Sequence, residues 1–74
     1  MEDIATVFES TLRSMGVSFE RLEADAHLED DLGLESLMRV ELATKLQKRY
    51  GKPVVQDIDR LQTVADVLHY LEGK

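Results

Sequence analysis

The chain contains no cysteine. Neither a disulfide nor a thiolate metal site can therefore hold it together. It has no long apolar run either. The longest are a few residues, against the roughly 20 that a membrane-spanning helix needs. The opening MEDIATVFES is acidic and lacks the basic region of a secretory signal, so a cytoplasmic protein with no membrane partner is expected. Positive charge is scarce: 9 Lys and Arg face 15 Asp and Glu, for a net charge of −6. Phosphate binding needs a basic surface, so nucleic acid is an improbable ligand class, and basic protein partners fit the sum better. The chain is also short. Its 74 residues suffice for one domain, expected over residues 1–74, as a discrete protein or as part of a longer one. A domain of this size buries only roughly 60% of its chain surface. Without cysteine, its stability must come from packing, most easily of helices.

Catalytic constellations are missing too. His27 and His69 lie far apart, and neither sits in an HxxxH or HExxH frame. Each reads as an ordinary surface or boundary residue. Ser36 lacks the GxSxG turn of a hydrolase nucleophile. The acid-rich DAHLEDDLGLE is not an EF-hand loop. Counted from Asp25, its third and sixth positions are His27 and Asp30, where such a loop needs an oxygen ligand and glycine. No metal site and no enzyme are expected.

What is present is helical periodicity. Ile4, Val7, Phe8, Leu12 and Met15 repeat at helical spacing, and Gly16 follows where a helix would stop. Residues 17–35 read as a loop, with Val17, Phe19, Leu22, Leu28 and Leu32 as apolar anchors. That is long for a compact domain, so the loop is expected to be functional or to contain a helical turn, for which SFERLEA is the candidate. A second helix runs from about Ser36 to Tyr50, closed by Gly51 with Pro53 just beyond. Leu42, Ala43, Leu46 and Tyr50 share its core face. At about 100° per residue, Leu37 lies nearly opposite Leu46, with Met38 and Val40 to either side of it. An apolar patch off the core, with Arg39 among it, is therefore expected beside Ser36. After Pro53, Val54-Val55 reads as extended and QDIDRLQ as a turn or one-turn helix. Thr63 and Asp66 have the form of a capping box. They open a last helix that buries Val64, Val67, Leu68 and Leu71 and ends near Gly73. The expected fold is all-α: a small up-and-down bundle of three main helices and one short one.

Charge is distributed unevenly. From Glu20 to Ser36, the seven acids Glu20, Glu23, Asp25, Glu29, Asp30, Asp31 and Glu35 stand against one base, Arg21. From Leu37 to Lys52, the five bases Arg39, Lys45, Lys48, Arg49 and Lys52 stand against one acid, Glu41. An acidic loop runs directly into a basic helix. Two solvated surfaces and a surface read by a partner both fit this pattern.

Ser36 stands where a helix N-cap is expected, and serines are common there. The residue three further on is Arg39, where a capping box would want Glu or Gln. A helix N-terminus also favours an anion, so a phosphate ester on Ser36 would be stabilised there, with Arg39 one turn on as a further contact.

The stretch DLGLESLMRVEL resembles the phosphopantetheine attachment motif of acyl carrier proteins, D-L-G-x-D-S-L followed by a helix containing V-E-L. The matching residues are Asp31, Leu32, Gly33, Ser36, Leu37, Val40, Glu41 and Leu42. The likeness extends through the long loop, the RYG that ends the second helix, and LQTVADVLHYL. It implies that Ser36 bears a 4′-phosphopantetheine arm, placed from coenzyme A by a phosphopantetheinyl transferase. It further implies a carrier that catalyses nothing and delivers acyl thioesters to ketosynthases, acyltransferases or other acyl-processing enzymes. Partners would read Glu35, Leu37, Met38, Arg39, Val40 and Glu41, and a monomer is the default. Two departures stand out. Glu35 replaces the usual Asp, keeping the charge but moving it outward by a methylene, which is expected to be tolerated. The second helix is basic, whereas that of discrete fatty-acid carriers is usually acidic. GLESLMRVEL is closer to the G-L-D-S-L-M-x-V-E-L style of polyketide synthase carriers. It lacks the glycine and histidine that tend to precede the serine of peptide-synthetase carriers. A carrier of polyketide or another specialised acyl pathway is the expectation. The alternatives are a fatty-acid carrier and, in a different class, an unmodified helical adaptor in which Ser36 is only an N-cap.

Overall fold

A computed structural model describes residues 3–73. Helix α1 spans Ile4–Ser14, α2 Ser36–Tyr50, α3 Val54–Asp57 and α4 Val64–Glu72; a 3-10 turn at Ile58–Arg60 continues α3. One isolated antiparallel bridge pairs His27 with Thr63, and there is no strand among the described residues. This is the expected all-α architecture of three main helices and one short one.

Each main helix is set by its own residues. Asp3 caps α1, its carboxylate accepting from the Thr6 N–H at 2.8 Å. The helix buries Val7, Phe8 and Leu12. Helix α2 buries Leu42, Ala43 and Leu46 and stops at Gly51, whose φ of 71° is the left-handed conformation that glycine adopts without strain. The Thr63–Asp66 capping box of α4 is complete: Thr63 Oγ1 accepts from the Asp66 N–H, and the Asp66 carboxylate accepts from the Thr63 N–H, both at 3.1 Å. Helix α1 packs against α2 and α4, and α2 packs against α3. Among them lies one core that includes Phe8, Leu12, Leu42, Leu46, Val54 and Val67.

Two local expectations are corrected. Val54-Val55 is not extended. Pro53 precedes a helical turn in which Val54 and Ile58, four residues apart, bury together. The Val55 N–H is taken by Gln47 Oε1 of α2 at 3.2 Å. Packing on α2 overrides the extended preference of β-branched residues. The helical turn of the long loop is also not SFERLEA. It lies at 28–32, where the Asp31 and Leu32 N–H groups both donate to His27 O. Phe19 and Leu22 are instead spread against the core, and the Arg13 guanidinium sits 4.4 Å over the Phe19 ring. The anchors hold: Val17 and Leu28 are buried, and Phe19, Leu22 and Leu32 pack at the core's edge.

Three aspartates titrate with folding. The Thr6 N–H lowers the pKa of Asp3. The Tyr70 hydroxyl, donating to Asp57 Oδ2 at 2.7 Å, lowers that of Asp57. The Thr63 and Gln62 N–H groups lower that of Asp66. A carboxylate with a depressed folded pKa stabilises fully above its unfolded value of about 3.9, and its contribution is lost as pH falls through the folded value. Stability should therefore decline as pH drops below about 4. Asp66→Asn should lower the melting temperature at neutral pH and flatten the acid limb of the stability curve. Thermal melts from pH 7 to pH 2 read this, and an unchanged acid limb would refute Asp66's share.

Candidate functional site

Sequence and backbone together build the turn that presents Ser36. The N–H of Leu28 donates to Gln62 O at 2.9 Å, that of Val64 to Ala26 O at 3.0 Å, and that of Ala65 to Ala24 O at 2.8 Å. The latter two donors open α4, where N–H groups have no intrahelical acceptor. Loop carbonyls supply what the helix cannot. From this anchored stretch the chain turns through 28–32 and reaches Gly33, whose φ of 71° lets the Leu34 N–H return to Leu28 O at 2.9 Å. A Cβ at Gly33 would meet nothing within 4 Å; glycine is needed there for its backbone angle and not for space. Leu34 then enters the core with no exposed surface. Two residues later comes Ser36. Leu34 escaped the sequence reading because it belongs to no helical or alternating pattern; its one signal was a leucine just after a turn glycine.

The structure moves the helix start by one residue. Glu35, not Ser36, is the N-cap of α2: its backbone is extended (φ −73°, ψ 167°), and its carbonyl accepts from the Arg39 N–H at 2.9 Å. Ser36 is the first helical residue and is exposed. Its hydroxyl makes no hydrogen bond among the described residues. The N-cap role expected of Ser36 is thus corrected. Glu35 makes no side-chain cap bond. An N-cap side chain bonds best when short, as in Asp, Asn, Ser or Thr. The first N–H groups of α2 therefore keep no side-chain acceptor. They form a partial positive charge beside a free hydroxyl, which suits an ester-linked phosphate on that oxygen.

Around Ser36, Leu37 is 79% exposed and Val40 41%. Met38 is corrected: it packs against the core. Residues 38, 42 and 46 form one stripe of i, i+4 steps that drifts by about 40° per step. Measured only from Leu46, at its far end, Met38 falls off the stripe. Arg39 is corrected as well. It is half-buried and lines a cleft of about 270 Å³ with His27, Glu29, Asp30 and Gln62. Its Nε is shut off from water and has no hydrogen-bond partner among the described residues. Glu35 and Glu41 are exposed.

The basic face of α2 is narrower than the sequence suggested. Lys45, Lys48 and Arg49 are exposed, but Lys52 is turned to Tyr70 O near the end of α4, at 3.2 Å. His27 and His69 are exposed. No cluster of His, Asp and Glu suited to a metal occurs among the described residues, and none of their helices is long and apolar enough to cross a membrane.

Comparison with known proteins places these features. Residues 4–71 match the profile of the family described as phosphopantetheine attachment site. An acyl carrier protein of Bdellovibrio bacteriovorus is 36% identical over 64 residues, covering 85% of this chain and 82% of the relative. One from Chloroherpeton thalassium is 30% identical over 69 residues, covering 92% and 86%.

The uncapped start of α2 gives a direct test. Glu35→Asp places a carboxylate within reach of the N2 or N3 N–H and should stabilise the fold by about 0.5–1 kcal/mol. The expected gain is a melting temperature higher by a few degrees. A lower one would mean that the Glu35 side chain has a partner of its own.

Proposed function

Because this chain belongs to the phosphopantetheine attachment family of acyl carrier proteins, whose members carry a covalent 4′-phosphopantetheine and act as carriers, we propose that Ser36 is the residue that bears the arm. The observation that carries this reading is the exposed, unbonded Ser36 hydroxyl on the first turn of a helix whose N–H groups lack a side-chain cap. Those donors and the free oxygen fit a phosphate ester. When bound, the group supplies a thiol that carries acyl chains as thioesters. The chain's own residues hold the attachment point. Leu34, sunk in the core, fixes where the helix begins, and Gly33 sets the turn before it. Residues 1–74 form a single carrier domain, monomeric and cytoplasmic.

A phosphopantetheinyl transferase and acyl-processing enzymes such as ketosynthases and acyltransferases are the partners. They read Glu35, Leu37, Val40 and Glu41 at the serine's edge. Leu37 is the most exposed large apolar side chain among the described residues, and a carrier must be gripped beside its serine. Arg39 and Met38 act from below this surface. The pathway is polyketide or related specialised acyl synthesis. Two features favour it over fatty-acid synthesis: the LGLESLMRVEL motif style, and Lys45, Lys48 and Arg49 standing exposed on α2 where a discrete fatty-acid carrier is usually acidic.

Incubation with coenzyme A and a promiscuous transferase should raise the intact mass of the native chain by one arm and leave Ser36→Ala unchanged. The circular dichroism of the variant should match that of the parent, since Ser36 makes no cap bond and its loss costs less than about 1 kcal/mol. Modification of Ser36→Ala would defeat the assignment. Charge reversal on exposed α2, Lys48→Glu, should leave the melting temperature nearly unchanged and slow acyl transfer to the native partner, with the effect shrinking as salt is raised. Transfer that is indifferent to Lys48→Glu at low salt would remove α2 charge from partner choice.

A further inference from the structure

The end of α2 remote from Ser36 borders an open groove of about 730 Å³. The first turn of α1 and the last turns of α2 and α4 meet there. Ile4, Tyr50 and Leu68 form its apolar floor, each half-buried against the edge of the core. Packing within the chain covers only part of these side chains, and the groove bares the rest. Asp3, Arg49 and Glu72 stand at its rim.

The three rim charges are not equivalent. The Asp3 carboxylate accepts from the Thr6 N–H at the start of α1, and Glu72 is engaged as well. Arg49 is exposed and has no ion pair among the described residues. Lys45 and Lys48, both exposed, share its face of α2, at the i, i+3, i+4 spacing that makes side chains neighbours. A basic stripe thus runs along α2 to the edge of an apolar floor.

Candidate occupants differ in fit. A small molecule needs most of its surface enclosed, and this groove is open. An anionic bilayer attracts the stripe but repels a chain of net charge −6. A second copy related by a two-fold axis would set basic stripe beside basic stripe. A protein segment with apolar side chains along one face and carboxylates beside them satisfies both the floor and Arg49. Tyrosine and arginine, adjacent here as Arg49 and Tyr50, are also among the residue types that carry most binding energy at protein interfaces.

We propose that this groove docks an acidic amphipathic segment of a partner protein, with Arg49 as its charge contact and Tyr50 as its apolar anchor. Resting on the reading of Ser36 as the attachment site, the groove is a hold on the carrier that leaves the arm free. The 15 residues of α2 place Tyr50 about 20 Å from Ser36 along the helix axis. A segment seated at the far end leaves Leu37 and Val40 uncovered. One protein keeps the carrier in place while a second works at Ser36.

The test uses the full chain and two synthetic helical peptides, each with leucines along one face. One bears glutamates beside the leucines, the other lysines. The glutamate peptide should shift the backbone amide signals of Ile4, Arg49, Tyr50 and Leu68 and leave those of residues 31–40 unchanged. The lysine peptide should bind roughly tenfold more weakly, and raised salt should narrow the difference. Arg49→Glu, at an exposed position, should weaken binding of the glutamate peptide by roughly tenfold. Loading of the native chain from coenzyme A by a promiscuous transferase should keep its rate with the groove filled. Groove signals that stay silent or prefer the lysine peptide overturn the inference, as does loading that slows when the groove fills. So do shifts confined to residues 31–40, or groove signals that move instead with anionic phospholipid vesicles or with the chain's own concentration. A chain that binds the peptide in the groove but takes up no arm overturns the attachment reading alone; a loaded chain with a silent groove overturns this one alone.

Discussion

The joining of the loop to the start of α4 is the constraint on which the site depends. A long connection between α1 and α2 has little regular structure with which to satisfy its backbone. An α-helix of nine residues has, at its N-terminus, donors that it cannot satisfy internally. Each supplies the other's deficit, through Val64 to Ala26, Ala65 to Ala24, and Leu28 to Gln62. The exchange holds residues 24–28 in place, so that the turn at 28–32 begins from a defined point. Leu28 and Leu34 then lock both ends of that turn into the core. The position of Ser36 follows from contacts made far from it in sequence.

This arrangement divides the molecule's work. Rigidity is concentrated below the serine, where Leu34, Leu42 and Leu46 have no exposed surface. Exposure is concentrated at and around it, at Ser36, Leu37 and Val40. The first turn of α2 thus combines a fixed backbone with side chains open to solvent.

Much of this was legible in the sequence. The core faces of α1, α2 and α4, the capping box at Thr63 and Asp66, the glycine stops and the serine motif were carried by periodicity and local chemistry. What failed to show depended on contacts distant in sequence. Val54 reads as extended because its preference for helix comes only from packing on α2. Leu34 is invisible because a single buried leucine in a loop has no period. Sequence points to residues 18–24 for the loop's helical turn, rather than 28–32, because the hydrogen bonds that fix the loop lie with α4. Met38 reads as off the core because a helix stripe drifts, and one reference residue cannot define it. Arg39 reads as part of an exposed patch beside Ser36 because no pattern in sequence reports a cleft. The start of α2 slipped from Glu35 to Ser36 because residue preference favours serine as a cap, whereas the backbone angles decide.

The succession of acidic loop and basic helix has a further consequence for encounter. Glu29, Asp30, Asp31 and Glu35 lie in or next to the turn before α2, while Lys45, Lys48 and Arg49 lie on its later turns. The side chains thus set up an electric dipole along α2 that opposes the helix's own, whose positive end is at Ser36. A body so polarised tumbles unevenly in the field of a charged neighbour. Before an acidic surface its far end is drawn in first and the end at Ser36, about 20 Å away along the helix, is held off. Before a basic surface the order reverses, so the sign of a neighbour's charge decides which end of α2 meets it first.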